Sequence, residues 1–236
     1  MDVVTGSKNI SVQPMTLHSL YRRLEENGSS GLNVGAILDS IGAFREDQWS
    51  HLRQGVLRLA CEVFPCDRAL EMSWLREIHS SGPREAVARL SLSLSETIPA
   101  LVEDCAIVQQ ALMQEELVDE SIAFARRAIQ LHPGSHHLRH NLGLALRNRG
   151  RLEEALEALR GAVETRPYSD ESLTLAGSVL RDMGRQQEAL EFHGAAVRLC
   201  PSSSVALYNL GNSLFAGGEF SGAVDAYKKA AELRGD

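Results

Sequence analysis

The sequence predicts an all-α chain, an α-solenoid of antiparallel helix hairpins, and three observations lead there. First, five of the seven prolines, Pro65, Pro99, Pro133, Pro167 and Pro201, stand 34 residues apart, and each closes an apolar segment. Proline cannot continue a helix and biases its predecessor away from helical angles, so each marks a helix boundary. Second, small residues keep the same step. Gly143, Gly177 and Gly211 form one series, and Gly150, Gly184 and Gly218 another. Ala155, Ala189 and Ala223 form a third, and Ala128, Ala162, Ala196 and Ala230 a fourth. A fixed period of this length signals stacked supersecondary units. Third, aromatic residues make up only 5% of the chain, which favours helices packed through Leu and Ala over a β-sandwich.

Taken in chain order, residues 1–13 read as a loose end. TLHSLYRRLEE (16–26) reads as a short helix with Thr16 as its cap, and NGSSG (27–31) as a joint. Segments 32–43, 46–64, 68–80 and 84–96 read as helices, the second carrying the stripe Trp49, Leu52, Val56, Leu59, Val63. The proline ladder makes these divergent repeats in phase with the later ones, an unrelated helical cap being the alternative. The expected organisation is an N-terminal arm with a short helix (1–33), degenerate helical repeats (34–101) and a regular array (102–236). Its clear units are 136–169, 170–203 and 204–236.

Counted from His136 as position 1, each clear unit has glycines at 8 and 15, alanines at 20 and 27, and, in the first two units, proline at 32. In the middle unit Leu173, Ala176, Gly177 and Leu180 recur at i, i+3, i+4 and i+7, the period of an amphipathic helix. Ala189, Phe192, Ala196 and Leu199 also recur at helical spacing. Small residues at 8, 20 and 27 let the two helices of a hairpin approach closely, and the glycine at 15 lets the chain turn between them.

The stretches NLGLAL with EALEAL, LAGSVL with EALEFH, and NLGNSL with GAVDAY resemble the tetratricopeptide repeat. The resemblance is strong over 136–236. Residues 102–135 match through DESIAFARRAIQLHP, with Gln109 in place of the position-8 glycine. Residues 68–101 keep Gly82 and Pro99, and 34–67 keep Ala60 and Pro65. The tryptophan of the family pattern is replaced by Arg139, Leu173 and Leu207. The resemblance implies a right-handed α-solenoid, a superhelix whose first-helix positions 2, 5, 6, 9, 12 and 13 line a concave groove, the kind of surface such arrays use to bind other proteins.

Composition narrows the work such a surface could do. The net charge of −7 argues against a generalised nucleic-acid or membrane-surface binder. No run approaches the roughly 18–20 apolar residues of a membrane helix, and the N-terminus has no secretory pattern. Cys61, Cys66, Cys105 and Cys200 match no zinc or redox spacing, so reduced thiols in a cytoplasmic protein are expected. No phosphate-cradling glycine loop, nucleophile elbow or H-E-x-x-H pattern is present. His136 and His140 sit four apart within HPGSHHLRH, but two ligands are not a metal site, and solvated histidines are the expectation. The pairs Glu25–Glu26, Glu115–Glu116 and Glu153–Glu154 read as wet helix faces. No cofactor, metal or catalytic group is expected.

The candidate partner-binding residues follow from the groove positions that the resemblance implies. Arg147 and Arg181 both fall at position 12, where stacked guanidinium groups suit carboxylates. Asn141 and Asn209 fall at position 6 and Asn212 at position 9, and an asparagine amide can hold a peptide backbone. His137, His140, Thr174, Ser178, Tyr208 and Phe215 complete the set. The expected function is a non-catalytic scaffold that binds a peptide or helical segment of another protein. Acidic groups of the partner would lie near Arg147 and Arg181, and an apolar anchor near Tyr208 and Phe215. The alternative is the repeat region of a larger glycosyltransferase- or sulfotransferase-type enzyme. Self-association, or docking of another element, is expected at the C-terminal strip of Val224, Tyr227 and Ala231.

Overall fold

The computed structural model describes residues 17–28, 32–44, 50–65, 67–79 and 82–235. Among these residues there are thirteen α-helices and no strand. They are α1 (Leu17–Asn27), α2 (Val34–Gly42), α3 (Ser50–Val63), α4 (Arg68–Ile78), α5 (Arg84–Ser95), α6 (Val102–Gln114) and α7 (Val118–Leu131). The remainder are α8 (His136–Asn148), α9 (Leu152–Thr165), α10 (Asp170–Asp182), α11 (Gln186–Leu199), α12 (Ser204–Ala216) and α13 (Phe220–Arg234). The chain forms two compact units, residues 1–90 and 91–236, and the division falls inside α5. Thr16, Trp49 and Cys66 lie outside the described residues.

In the first unit α1 packs on α3, and α3 on α4. Asn33 caps α2 by accepting from the Ala36 amide at 2.8 Å, and Asp67 caps α4 by accepting from Ala69 and Leu70. The stripe expected on α3 is rotated. The buried face is Arg53, Val56, Leu57 and Ala60, so among the described members of the expected set only Val56 is fully covered. The reason is Arg53, whose guanidinium bonds Glu77 on α4 through Nε (3.1 Å) and an Nη (2.8 Å) and also reaches the Phe44 carbonyl. A charge tied this way can turn inward where apolar periodicity alone would place it outside.

In the second unit the hairpins α6–α7, α8–α9, α10–α11 and α12–α13 stack in order. Each turn follows from the 34-residue period. Gly150, Gly184 and Gly218 at position 15 have φ of +71°, +77° and +81°, the left-handed region that a Cβ disfavours. Two residues after Pro133, Pro167 and Pro201 a serine caps the next first helix: Ser135, Ser169 and Ser203 accept from Leu138, Ser172 and Ala206 at 3.2–3.3 Å. Inside each clear hairpin, position 8 faces position 24. A Cβ on Gly143, Gly177 or Gly211 would fall 2.5–2.6 Å from Leu159, His193 or Tyr227.

The unit 102–135 departs at both glycine positions. Position 8 is the fully buried Gln109, and position 24 is Ala125, also fully buried, so the volumes are exchanged. Position 15 is Glu116, with φ +62°, the one non-glycine residue with positive φ among the described residues. Glu116→Gly should therefore stabilise this hairpin by about 0.5–1 kcal/mol, removing a left-handed penalty at some cost in chain entropy. Urea unfolding checks the sign, and a destabilised variant would show that the Glu116 side chain outweighs its backbone cost.

Candidate functional site

Position 5, 9 and 12 side chains of α8 and α10 converge with positions 2 and 6 of α12 on a cleft of about 540 Å³. From α8 it takes His140, Leu144 and Arg147. From α10 it takes Asp170, Glu171, Thr174, Leu175, Ser178 and Arg181, and beyond these Ser203, Val205 and Asn209. Six of the expected residues therefore share one cleft: His140, Arg147, Thr174, Ser178, Arg181 and Asn209. Leu144, Asp170, Glu171, Leu175, Ser203 and Val205 were not expected, although most hold the same groove positions.

The other expected residues lie elsewhere. His137 is exposed, stacks on His136 at 3.8 Å between ring centroids, and lines a separate hollow with Val102 and His132. Asn141 is half-buried beside His140 on α8. Asn212 turns toward α13 and accepts from the Tyr227 hydroxyl at 2.8 Å. Tyr208 packs on Tyr227 at 5.5 Å, over an apolar hollow of about 450 Å³ with Ala230, Ala231 and Arg234. Phe215 meets Phe220 edge-on at 5.4 Å. The apolar face at α13 is open: Val224 at position 21 is 48% exposed, whereas Leu156 at the same position is 3% exposed.

Thr174 and Ser178 form part of the cleft's floor and are themselves buried. The Ser178 hydroxyl donates to the Thr174 carbonyl at 3.0 Å. That carbonyl also accepts from Nε2 of His193, which lies fully buried at 3.1 Å, while Nδ1 of His193 meets the Ser213 hydroxyl at 2.8 Å. A carbonyl can only accept, so Nε2 carries the proton and Nδ1 accepts from Ser213. Burial pushes His193 down to about 4, the Thr174 bond opposes that, and Arg181 adds to it. His140 is also held below its usual value, chiefly by burial and against the pull of Glu171, and its Nδ1 meets the Ser172 hydroxyl at 3.0 Å.

The two arginines of the cleft are not equivalent. Arg147 Nε donates to Asp182 at 2.7 Å, and an Arg181 Nη lies 4.0 Å from the other oxygen of the same carboxylate. The second terminal nitrogen of Arg181 is buried with no hydrogen-bond partner among the described residues. Asp182, at position 13, thus holds part of the charge that a partner's carboxylate was expected to meet.

His136 and His140 do not act together. Nε2 of His136 accepts from Arg166 at 2.9 Å, and His140 bonds Ser172. Among the described residues no group of three His, Cys, Asp or Glu could hold a metal ion. Burial raises the Cys61 thiol to about 12 and the Cys105 thiol to about 11, which suppresses the reactive thiolate. No helix among the described residues is long and apolar enough to cross a membrane.

A larger depression, about 700 Å³, lies on the second-helix side, lined by Arg126, Leu156, Ala158, Arg160 and Arg185 among others. Three of its arginines are already paired, Arg126 with Glu154, and Arg160 and Arg185 with Glu188. The smaller cleft is the better candidate because it gathers groove positions of three first helices and is lined by Arg181, one of whose nitrogens has no hydrogen-bond partner among the described residues.

The tetratricopeptide repeat family profile matches residues 110–170 and 174–236. Solved structures agree on the fold. YrrB, described as a tetratricopeptide-repeat protein with an unusual peptide-binding site, aligns with TM-score 0.66 and 16% identity, covering 81% of this chain and 97% of its own. MamA aligns with TM-score 0.57 and 20% identity, covering 72% and 94%. A MamA fragment from Desulfovibrio magneticus gives 0.58 and 18%, covering 70% and 95%. No curated protein matches the chain in sequence.

Proposed function

Because the chain belongs to the tetratricopeptide repeat family, we propose that it is a non-catalytic protein-interaction scaffold whose cleft between α8, α10 and α12 binds a peptide segment of another protein. The observation that carries this is the cleft itself. It is built from the groove positions of successive first helices, and it is lined by apolar Leu144, Leu175 and Val205 together with Arg181, one of whose buried nitrogens has no hydrogen-bond partner among the described residues. An unpaired donor in a low-dielectric wall is costly alone and is relieved by a carboxylate or carbonyl brought by a ligand. Asn209 lines the same cleft, where its amide nitrogen donates to the Val205 carbonyl at 2.9 Å and its amide oxygen would accept from the backbone of a bound segment.

The test uses a phage-displayed library of random 12-residue peptides selected on the whole chain. Val205 is 63% exposed, so Val205→Arg leaves the core intact while placing a long side chain in the cleft. Selected peptides should bind this variant at least tenfold more weakly, about 1.4 kcal/mol. Peptides that bind it as well as the parent, and lose affinity to Ala158→Arg on the second-helix side instead, would place the site in the larger depression.

A further inference from the structure

The cleft is electrically polarised along α10. At the C-terminal ends of α8 and α10 stand Arg147 and Arg181, with the single carboxylate of Asp182 between them. At the N-terminal end of α10 stand Asp170 and Glu171, and no lysine or arginine lines that end. His140, the one titratable nitrogen base there, is held toward its neutral form by burial. The balance is one positive charge in excess at one end and two negative charges at the other. Leu144, Leu175 and Val205 belong to the same cleft.

Helix dipoles explain part of this. Carboxylates at a helix N-terminus and guanidinium groups at its C-terminus are each stabilised by the dipole whatever binds beside them. The dipole does not explain why one terminal nitrogen of Arg181 is buried without a partner while Arg147 takes Asp182. That nitrogen belongs to a side chain that lines the cleft.

We propose that the cleft selects an extended segment of mixed charge, with an acidic residue toward Arg181, a basic residue toward Asp170 and Glu171, and an apolar side chain between them. This rests on the reading of the cleft as a peptide groove. The spacing is set by α10. Asp170 and Arg181 are eleven residues apart on one helix, about 16 Å at 1.5 Å per residue. An extended chain covers that distance in about five residues at 3.3 Å each. A segment bound in extended form therefore carries its two charges four to six residues apart. The orientation is specified as well: exchanging the charges would set like against like at both ends.

The experiment compares each peptide selected from the 12-residue library with a synthetic copy whose acidic and basic residues are exchanged, by fluorescence anisotropy on the unmodified chain at low and high salt. Selected peptides should carry the two charges at the stated spacing. The exchanged copies should bind at least tenfold more weakly, and the difference should shrink at high salt, because the charges are partly exposed. Arg181→Gln should remove most of the preference while retaining the apolar contribution. Peptides that lose binding to Val205→Arg but are indifferent to charge exchange would overturn this inference and leave the groove reading standing. Peptides unaffected by Val205→Arg, or a library that yields no binder, would overturn both.

Discussion

Lowering the pH from 7 to 4 should cost the second unit about 3 kcal/mol through one side chain, His193, at about 1.4 kcal/mol for each pH unit. In the folded chain its pKa is depressed to about 4, first by burial and further by Arg181, with the Thr174 carbonyl opposing. Unfolded, it takes up a proton near 6.5. Below that value the unfolded state gains a proton that the folded state refuses, so stability is full above 6.5 and falls as pH drops toward 4. Below about 4 both states are protonated and this loss stops growing. His193 joins three helices, α11 through its own backbone, α10 through Thr174 and α12 through Ser213. Its protonation therefore weakens the contact between the two hairpins that form one side of the cleft.

The control is His193→Leu with Ser213→Ala. Leucine stands at the same position in the preceding unit, as Leu159, and the second change removes the hydroxyl left without its partner. Denaturant unfolding at pH 7 and pH 4 should show this double variant losing at least 2 kcal/mol less than the parent, roughly 1.5 of the 2.5 units of depression. His140 keeps a smaller slope of the same sign in both proteins, because its pKa is depressed too. Parallel pH profiles would show that His193 is protonated in the folded state without penalty.

Gly143→Val should destabilise the array by about 3 kcal/mol, the upper part of the usual overpacking range. A Cβ at this position falls 2.5 Å from Cγ of Leu159 and within 3.1 Å of both its methyls, so no rotamer adjustment of one atom relieves it. Leu159 is fully buried and belongs to the main core cluster with Leu142, Leu146 and Leu156. Leu159→Ala alone should also destabilise, by about 2–4 kcal/mol, through the cavity it leaves. Together the two changes should cost less than their sum by at least 1 kcal/mol, because each supplies what the other lacks. The chain already contains this exchange in Gln109 and Ala125. Strict additivity in a double-mutant cycle by denaturant unfolding would contradict the pairing of positions 8 and 24.

The proline and glycine ladders carry most of the fold because they act through the backbone, where a residue's type alone sets its φ or its hydrogen-bonding capacity. Pro133, Pro167 and Pro201 and the left-handed Gly150, Gly184 and Gly218 need no knowledge of neighbours. The serine ladder Ser135, Ser169 and Ser203 was equally readable at the same step, and its capping role could have been added from the sequence. The face of α3 was not, because Arg53 is buried by a partner 24 residues away that no periodicity reveals. The cleft is an intermediate case. Groove positions brought six residues together, but the pairing of Arg147 with Asp182 crosses two hairpins at a separation of 35, and the turn of Asn212 toward Tyr227 depends on how α13 packs. Contacts of that kind depend on the stacking of whole units rather than on any local pattern.

The central claim is that a partner's segment lies on the first-helix side, against α8, α10 and α12. The most direct measurement is the methyl NMR spectrum of the chain titrated with a peptide selected on it. Methyl resonances of Leu144, Leu175 and Val205 should shift or broaden first and saturate at one equivalent, while those of Ile129, Leu156 and Ala158 on the second-helix side stay in place. Shifts confined to Ile129, Leu156 and Ala158, with the cleft methyls unmoved, would contradict it.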